Sequence, residues 1–529
     1  MRDYAETIGF LGQWGRFQQI VFFSLVATIM PNGFGAFTLV FLTDTPSHHC
    51  LVSGINLTED WRKSVIPIRE VDGKQELSRC SRYRLDVVRN LSAQGYIPGR
   101  DVNLTDLEEE GCVDGWSYSK DIYESTIVSE FDLVCSNQWK QPFTSTVFFV
   151  GGLLGSFFSG QLSDRYGRKH ILFAALAIQT VFTFAQVFSG SWIMFLIILF
   201  INGLGQMSNF VAALVLGSEV LTGKVRVLYS SFGTCLGFAI GYMILPLLAY
   251  FLRDWKSLSL ALSLPCVAYV PFWWLMPESP RWLLSRGRVE EAEAIIRTAA
   301  KWNKVQAPRI IFEDCGVSEL SLKHYWIKPR CRTQLSVIDK MITICIWKKC
   351  MFTMTVGYYS LSFNTAQFHE NPYISCFISA VVEIPAYISS WMALLYLPRR
   401  LSVILTLVFG AVPLYLIQLV PDDLSNLALA LEMLGKYSIT TGSSLMFAYT
   451  AELYPTVLRN TATGTSNTVS RIGSCIAPLL LSLGMYSKYL PYIILGTLAV
   501  VAAFAALFLP ESFKKPLPET IEQMHRRER

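Results

Sequence analysis

The sequence predicts an all-α membrane protein of twelve transmembrane helices in two six-helix, pseudo-symmetric halves. Three observations predict it. The 529-residue chain is 52% hydrophobic and only 16% charged, with a mean hydropathy of +0.37, whereas soluble domains carry roughly 25% charged residues. Apolar runs near the length that crosses a bilayer, about 20 residues, recur along the chain. Sequence features of the first half also return in the second at a nearly constant offset. This composition excludes a disordered chain, a fibrous repeat and an ordinary set of soluble domains. The net charge of +5, from 45 basic and 40 acidic residues, is too balanced for a nucleic-acid binder.

Residues 1–19 form an N-terminal segment. Asp3 and Glu6 precede an apolar run long enough to span, so this is not a cleavable signal. Phe10, Leu11, Trp14 and Phe17 share one helical face. That face suits a short helix on the inner membrane surface or one packed on the protein itself. The N-terminal half, 20–276, has apolar runs at 20–42, 142–162, 170–188, 192–215, 227–252 and 257–276. A polar loop, 277–340, precedes the C-terminal half, 341–509. Its runs lie at 350–368, 372–397, 401–420, 427–450, 467–486 and 489–509, and a tail follows at 510–529. Span seven is short, 19 residues from Cys350 to Phe368, and several are polar. Extending it upstream would put Lys348 and Lys349 in the membrane, so thinning or snorkelling would have to accommodate it.

The first half is interrupted by a long polar loop, 44–141. It holds Cys50, Cys80, Cys112 and Cys135 without CxxC spacing, which argues for two disulfides in an oxidising compartment over a zinc site. Three pairings are open. The same loop carries glycosylation sequons at Asn56, Asn90 and Asn103. Basic residues set the orientation independently. Arg165, Arg168, Lys169, Lys224, Arg226, Arg399, Arg400, Arg459, Lys514, Lys515 and Arg526 fall on one side with the 277–340 loop. The opposite short loops carry only Arg253, Lys256 and Lys488. Both termini and the central loop are therefore expected in the cytoplasm, and 44–141 outside.

The halves read as a duplication. Glu219 and Arg226 follow the fourth run, and Glu452 and Arg459 follow the tenth, 233 positions later. Pro277-Glu278-Ser279 returns as Pro510-Glu511-Ser512 at the same offset. Arg168-Lys169 returns as Arg399-Arg400, 231 positions later.

Gly160-Gln161-Leu162-Ser163-Asp164-Arg165-Tyr166-Gly167-Arg168-Lys169 resembles the loop motif of the major facilitator superfamily. The resemblance implies that superfamily's fold, with substrate bound between the halves, and a cytoplasmic latch. Asp164, Arg165, Arg168, Glu219, Arg226, Glu452 and Arg459 would be the gate residues, with Asp164 facing a helix N-terminus, where the dipole favours an anion. Pro277-Glu278-Ser279-Pro280-Arg281-Trp282-Leu283 and Thr450-Ala451-Glu452-Leu453-Tyr454-Pro455-Thr456 resemble organic ion transporters of the superfamily. Met1-Arg2-Asp3-Tyr4, Phe10-Leu11-Gly12 and Met30-Pro31-Asn32-Gly33-Phe34 are similar to the organic cation/carnitine branch.

Charges at bilayer depth are costly and mark a cavity or a partner. Glu383, Glu432, Lys436 and Arg471 lie within predicted spans. Glu432 and Lys436 are one helical turn apart and can pair with each other. Arg471 offers a planar fork for a substrate carboxylate; the competing reading pairs it with Glu452 or Glu383. Cationic-substrate relatives carry an acid in this region, and the carnitine branch an arginine. A quaternary ammonium donates no hydrogen bond and is held by aromatic faces. Tyr358, Tyr359, Phe447 and Tyr449 supply them, with Glu383 as a further substrate contact. Relatives often have Tyr in place of Phe447. Asn32, Gln179, Gln206 and Asn209 are amides at membrane depth. Their oxygens suit sodium, and the resemblance implies sodium coupling here, although such amides also bridge helices.

Gly217-Ser218-Glu219-Val220-Leu221-Thr222-Gly223-Lys224-Val225 imitates a phosphate loop. Five residues separate its glycines, Val225 replaces the required Ser or Thr, and no strand precedes it. The expected protein is a monomeric plasma-membrane transporter, not an enzyme, without cofactor. It would use sodium as coupling ion to take up carnitine or a similar zwitterionic quaternary amine. The alternatives are sodium-independent transport of an organic cation or an ergothioneine-like betaine, and a non-transporting sensor or scaffold.

Overall fold

The structure, a computed structural model, describes residues 7–52, 57–71, 74–308, 311–312, 334–364, 371–421, 424–453 and 456–511. For 70–71, 74, 334–344, 448, 450–453 and 456–466 within these, the backbone alone is described. Asn56 lies outside the described residues, and so do the side chains of Glu452 and Arg459.

In the N-terminal half, α1 runs Arg16–Leu42, α2 Lys140–Tyr166, α3 Arg168–Gln186, α4 Trp192–Val220, α5 Gly223–Phe251 and α6 Trp255–Leu275. In the C-terminal half, α7 runs Gln334–Phe363, α8 Pro372–Tyr396, α9 Arg399–Leu416, α10 Ser425–Leu453, α11 Thr456–Leu481 and α12 Leu490–Ala506. Among the described residues, eight helices are long and apolar enough to cross a membrane. Helices also stand at the other expected positions, α3, α7, α10 and α12. Local chemistry sets the boundaries. The Ser191 side chain caps α4 by accepting from the Met194 N–H. Gly167, at φ 103°, makes the sharp turn from α2 into α3 that an L side chain resists. A π-helical turn at Tyr229–Gly233 interrupts α5.

Helix crossings are built on glycine. A Cβ at Gly33 would overlap the Phe238 carbonyl oxygen, and one at Gly241 would overlap that of Met30, so α1 and α5 touch backbone to backbone. Gly151, Gly155 and Gly203 do the same for α2 against α4. Lipid tails give no hydrophobic drive for helix association, so such close dispersion contact has to supply it.

Two expectations change here. The N-terminal residues form a 3-10 turn at Gly9–Leu11, and α1 begins only at Arg16. Ile8, Leu11 and Phe17 are buried beside Ile296, Ala299 and Ala300 of the helix Val289–Asn303. Asn303 ties the junction: its Nδ2 donates to Leu11 O and Gln18 Oε1, both 2.9 Å, and its Oδ1 accepts from Phe17 N at 2.9 Å. The segment packs on the protein, and Trp14 stays exposed. The seventh helix is also not short. It is 30 residues long and continues upstream through Lys348 and Lys349. Trp347 and Cys350 face inward while Lys349 is exposed, so the helical period keeps that lysine off the packed face.

The chain divides into two compact units. One comprises residues 1–38, 142–251 and 258–529; the other comprises 39–141 and 252–257. The second has three antiparallel two-stranded sheets: β1 His48–Cys50 with β6 Trp116–Tyr118, β2 Ile68–Val71 with β3 Lys74–Leu77, and β4 Ser81–Tyr83 with β5 Glu109–Gly111. Its small core gathers Leu57, Trp61, Val65, Tyr83 and Val88. Trp61 Nε1 donates to Tyr96 O at 2.7 Å. Buried Arg82 ion-pairs with Glu110 at 2.9 Å and Asp114 at 2.6 Å, and donates to Leu51 O at 2.8 Å. Two disulfides, Cys50–Cys112 and Cys80–Cys135, select one of the three open pairings. They cross-link a unit whose apolar core is small, which removes freedom from its unfolded chain. Asn90 and Asn103 are exposed on it.

Candidate functional site

Three groups of polar residues stand out in the first unit. The first surrounds the α2–α3 turn. The Arg168 guanidinium grips Glu219 with both Nε (3.0 Å) and Nη2 (3.1 Å), and ion-pairs with Asp164 at 2.8 Å. Its Nη1 donates to Ser163 O at 2.9 Å. The carboxylate at the N-terminus of α3 is Glu278. Glu278 accepts from Arg168 N at 3.0 Å and Lys169 N at 3.1 Å, satisfying orphan N–H groups where the dipole favours an anion. Asp164 stays largely exposed and acts through Arg168. The second half repeats the device. Glu511 accepts from Arg399 N at 2.9 Å and Arg400 N at 3.0 Å, and Arg399 Nη1 donates to Leu394 O at 2.5 Å. Arg168 reaches back five residues to Ser163, and Arg399 five to Leu394. Arg165 lies over the Tyr166 ring at 5.4 Å, and Arg226 sits in the first turns of α5.

The second group lies where the halves meet. Glu383 and Lys436 are both fully buried and pair at 3.3 Å. Desolvating two charges costs several kcal/mol, so such a pair persists only with further hydrogen bonds. Those exist. Tyr358 donates to Glu383 Oε1 at 2.7 Å and Tyr387 to Oε2 at 3.3 Å, while Lys436 donates to Ser379 Oγ at 2.5 Å. The Lys436 ammonium also lies 4.6 Å from the Tyr242 ring and 5.7 Å from that of Tyr358. Lys436 thus takes its carboxylate from α8, where the spacing on α10 had offered Glu432.

Arg471 is half-buried and donates to Tyr359 Oη at 3.1 Å. Among the described residues no carboxylate lies within ion-pairing distance of it, and Glu383 is committed to Lys436. Aromatic rings surround the pair of tyrosines. Phe149 meets Tyr359 edge-on at 4.8 Å, Phe37 stacks on Tyr242 at 4.0 Å, and Tyr358 meets Tyr359 at 5.2 Å. Tyr449 lies elsewhere. Its ring packs on Trp347 at 4.9 Å in the C-terminal core, and its hydroxyl donates to Pro510 O. Phe447 is exposed, and among the described residues it makes no ring contact with this group.

The third group gathers the four predicted amides around α1. Gln206 Nε2 donates to Asn32 O at 2.6 Å, Gln179 Nε2 to Pro31 O at 3.0 Å, and Asn209 Nδ2 to Thr28 O at 2.9 Å. All four residues are buried. Every donor bond points the amide nitrogen at α1, which leaves Gln179 Oε1, Gln206 Oε1 and Asn209 Oδ1 buried without a partner among the described residues. Unpartnered buried acceptors are rare, and three neutral oxygens are the donor chemistry a hard cation takes. Gly35 allows this convergence, since a Cβ there would lie 3.1 Å from Gln206 Oε1.

Sequence reasoning missed Phe37, Tyr242, Ser379 and Tyr387. Each is an ordinary residue of an apolar helix, and no spacing signals that three helices bring them to one charge pair.

The chain matches the family model described as "Sugar (and other) transporter" over residues 113–524. It is 49% identical to the Organic cation/carnitine transporter 2 of Rattus norvegicus, across 99% of this chain and 94% of that protein. It is equally 49% identical to Solute carrier family 22 member 4 of Mus musculus, across 99% and 95%. The Organic cation transporter protein of Drosophila melanogaster is 32% identical across 98% and 94%. Among solved structures, the inward open conformation of the xylose transporter XylE from E. coli superposes with a TM-score of 0.57. It covers 96% of this chain and 99% of that one at 16% identity, a likeness of fold alone.

Proposed function

The chain belongs to the sugar (and other) transporter family and, within it, to the organic cation/carnitine transporters, and from that premise we propose sodium-coupled uptake of a zwitterionic quaternary amine, with carnitine the leading candidate. The family is one of membrane transporters, not enzymes. The observation that carries the reading is Arg471. It is a half-buried guanidinium whose one hydrogen-bond partner among the described residues is a neutral phenol, beside an aromatic group that also holds a carboxylate. Arg471 takes the substrate carboxylate. Tyr358, Tyr359 and Glu383 take the trimethylammonium end, and Phe447 reaches it only if the halves rearrange. Gln179, Gln206 and Asn209 hold sodium through the oxygens left unpartnered among the described residues, and Asn32, whose Oδ1 accepts from Asn209 Nδ2 at 3.4 Å, flanks it. Alternating access rocks the halves about this site, with Arg168, Glu219, Asp164, Arg165, Arg226, Glu452 and Arg459 gating its cytoplasmic side. The protein works as a monomer in the plasma membrane with both termini in the cytoplasm.

Labelled carnitine uptake into cells making this chain, with sodium present and then replaced by lithium, tests the reading. Saturable uptake that lithium abolishes is the expected result. Uptake indifferent to sodium would return the amides to helix bridging and leave a facilitated cation or betaine transporter, a reading favoured by the tyrosine-ringed Glu383. Surface protein that moves neither carnitine nor tetraethylammonium would overturn transport itself.

A further inference from the structure

Glu432 of α10 is unused by the reading above. It is fully buried. Among the described residues its Oε1 accepts one long hydrogen bond, from Asn364 Nδ2 at 3.3 Å, and its Oε2 has no partner. An ionised carboxylate in that setting would stand almost bare in a low-dielectric interior.

The surrounding groups explain why it need not be ionised. On its own helix, Lys436 lies one turn away, but its ammonium is engaged by Glu383 and Ser379 of α8. From the end of α7, Asn364 presents a neutral amide, which it also donates to Tyr492 of α12. Tyr358 and Tyr359 of α7 point to Glu383 and Arg471. From α9, Arg399 and Arg400 sit in the first turn on Glu511, and the Tyr415 hydroxyl meets Thr497. From α11, Arg471 is on Tyr359. Two buried carboxylates therefore compete for one ammonium. Glu383 holds it and has two phenol donors besides, whereas Glu432 has a single weak amide. Where two acids share one countercharge, the poorly solvated one keeps its proton.

We propose that Glu432 is a proton-binding site of the transport cycle, exchanging its proton for the positive charge of the substrate. It carries the proton while Lys436 is bound to Glu383. When a substrate ammonium takes Glu383, Lys436 turns one helical step to Glu432, whose O–H bond breaks and releases the proton to water. The charges balance. Before binding, Lys436 and Glu383 cancel and Glu432 is neutral. Afterwards, substrate ammonium and Lys436 face two carboxylates. The exchange rests on Glu383 being the ammonium contact; the resting proton on Glu432 does not.

The test uses the purified full-length protein in two arms. Infrared spectra of the substrate-free protein at neutral pH should show a protonated-carboxyl band that Glu432→Gln removes. A spectrum unchanged by that substitution overturns the proposal whatever the substrate. In weak buffer with a pH indicator, saturating tetraethylammonium should release about one proton per molecule bound. Glu432→Gln should abolish the release, and Glu432→Asp, which keeps the carboxyl, should retain it. Binding without release overturns the exchange while leaving Glu383 in the site. No binding of tetraethylammonium or carnitine overturns the substrate reading and the exchange with it, and the infrared band then decides the proton site alone.

Discussion

Replacing Arg471 with glutamine separates the two ends of the proposed substrate. Among the described residues the guanidinium makes one hydrogen bond, to Tyr359 Oη at 3.1 Å, and no carboxylate pairs with it. Losing that bond costs the fold about 1 kcal/mol, so Arg471→Gln should fold and reach the membrane. The substrate carboxylate loses far more. Removing one partner of a desolvated, hydrogen-bonded charge pair costs about 3 kcal/mol or more, which is roughly a hundredfold in affinity. Tetraethylammonium has no carboxylate and should keep its affinity, or gain as a positive charge leaves the site. Arg471→Lys restores the charge without the planar fork and should recover carnitine only in part. The assay is competition of unlabelled carnitine and of tetraethylammonium against a labelled substrate, variant beside wild type at equal surface protein. Equal loss for both ligands would refute the reasoning and make Arg471 a structural residue.

Gly241→Ala should be among the least tolerated small substitutions, because its Cβ would overlap the Met30 carbonyl oxygen with α1 and α5 already in backbone contact. Overpacking of this kind costs about 1–3 kcal/mol and should lower the melting temperature of the purified protein, whereas Gly160→Ala, with open space around it, should not. Cys50→Ser with Cys112→Ser opens a disulfide across a sequence separation of 62, a loss of about 2–5 kcal/mol. Protease cleavage within 44–141 should then rise sharply, and rates equal to wild type would show that the small core around Trp61 suffices.

Some of this molecule is legible residue by residue. Runs of about 20 apolar residues mark helices because a bilayer forces every backbone group to be satisfied within its own segment. The repeat was visible for a related reason. The two halves solve the same local problem, a tight turn followed by a helix N-terminus, so the residues return at one offset. The structure then shows what they do: Glu278 and Glu511 each cap the helix that begins at Arg168 or Arg399. Four cysteines in one polar loop likewise announce disulfides without announcing their pairing. Three of the amides, Gln179, Gln206 and Asn209, each donate to a carbonyl of α1, and the need of a buried amide for some partner is conveyed by residue type alone.

What the sequence left open is the choice of partner. Spacing on α10 offers Glu432 to Lys436, yet the ammonium goes to Glu383 of α8, where Tyr358 and Tyr387 make the carboxylate the better-solvated anion. Tyr449 and Tyr359 are both aromatic residues within predicted spans, yet one is packed on Trp347 and the other meets Arg471. The residues at 10–17 carry a helical pattern, but Asn303 binds their backbone and a turn replaces the helix. Periodicity is a property of one segment and can be read from it. The partner of a buried charge or ring is set by distances between segments far apart in the chain, and those exist only once the helices have packed.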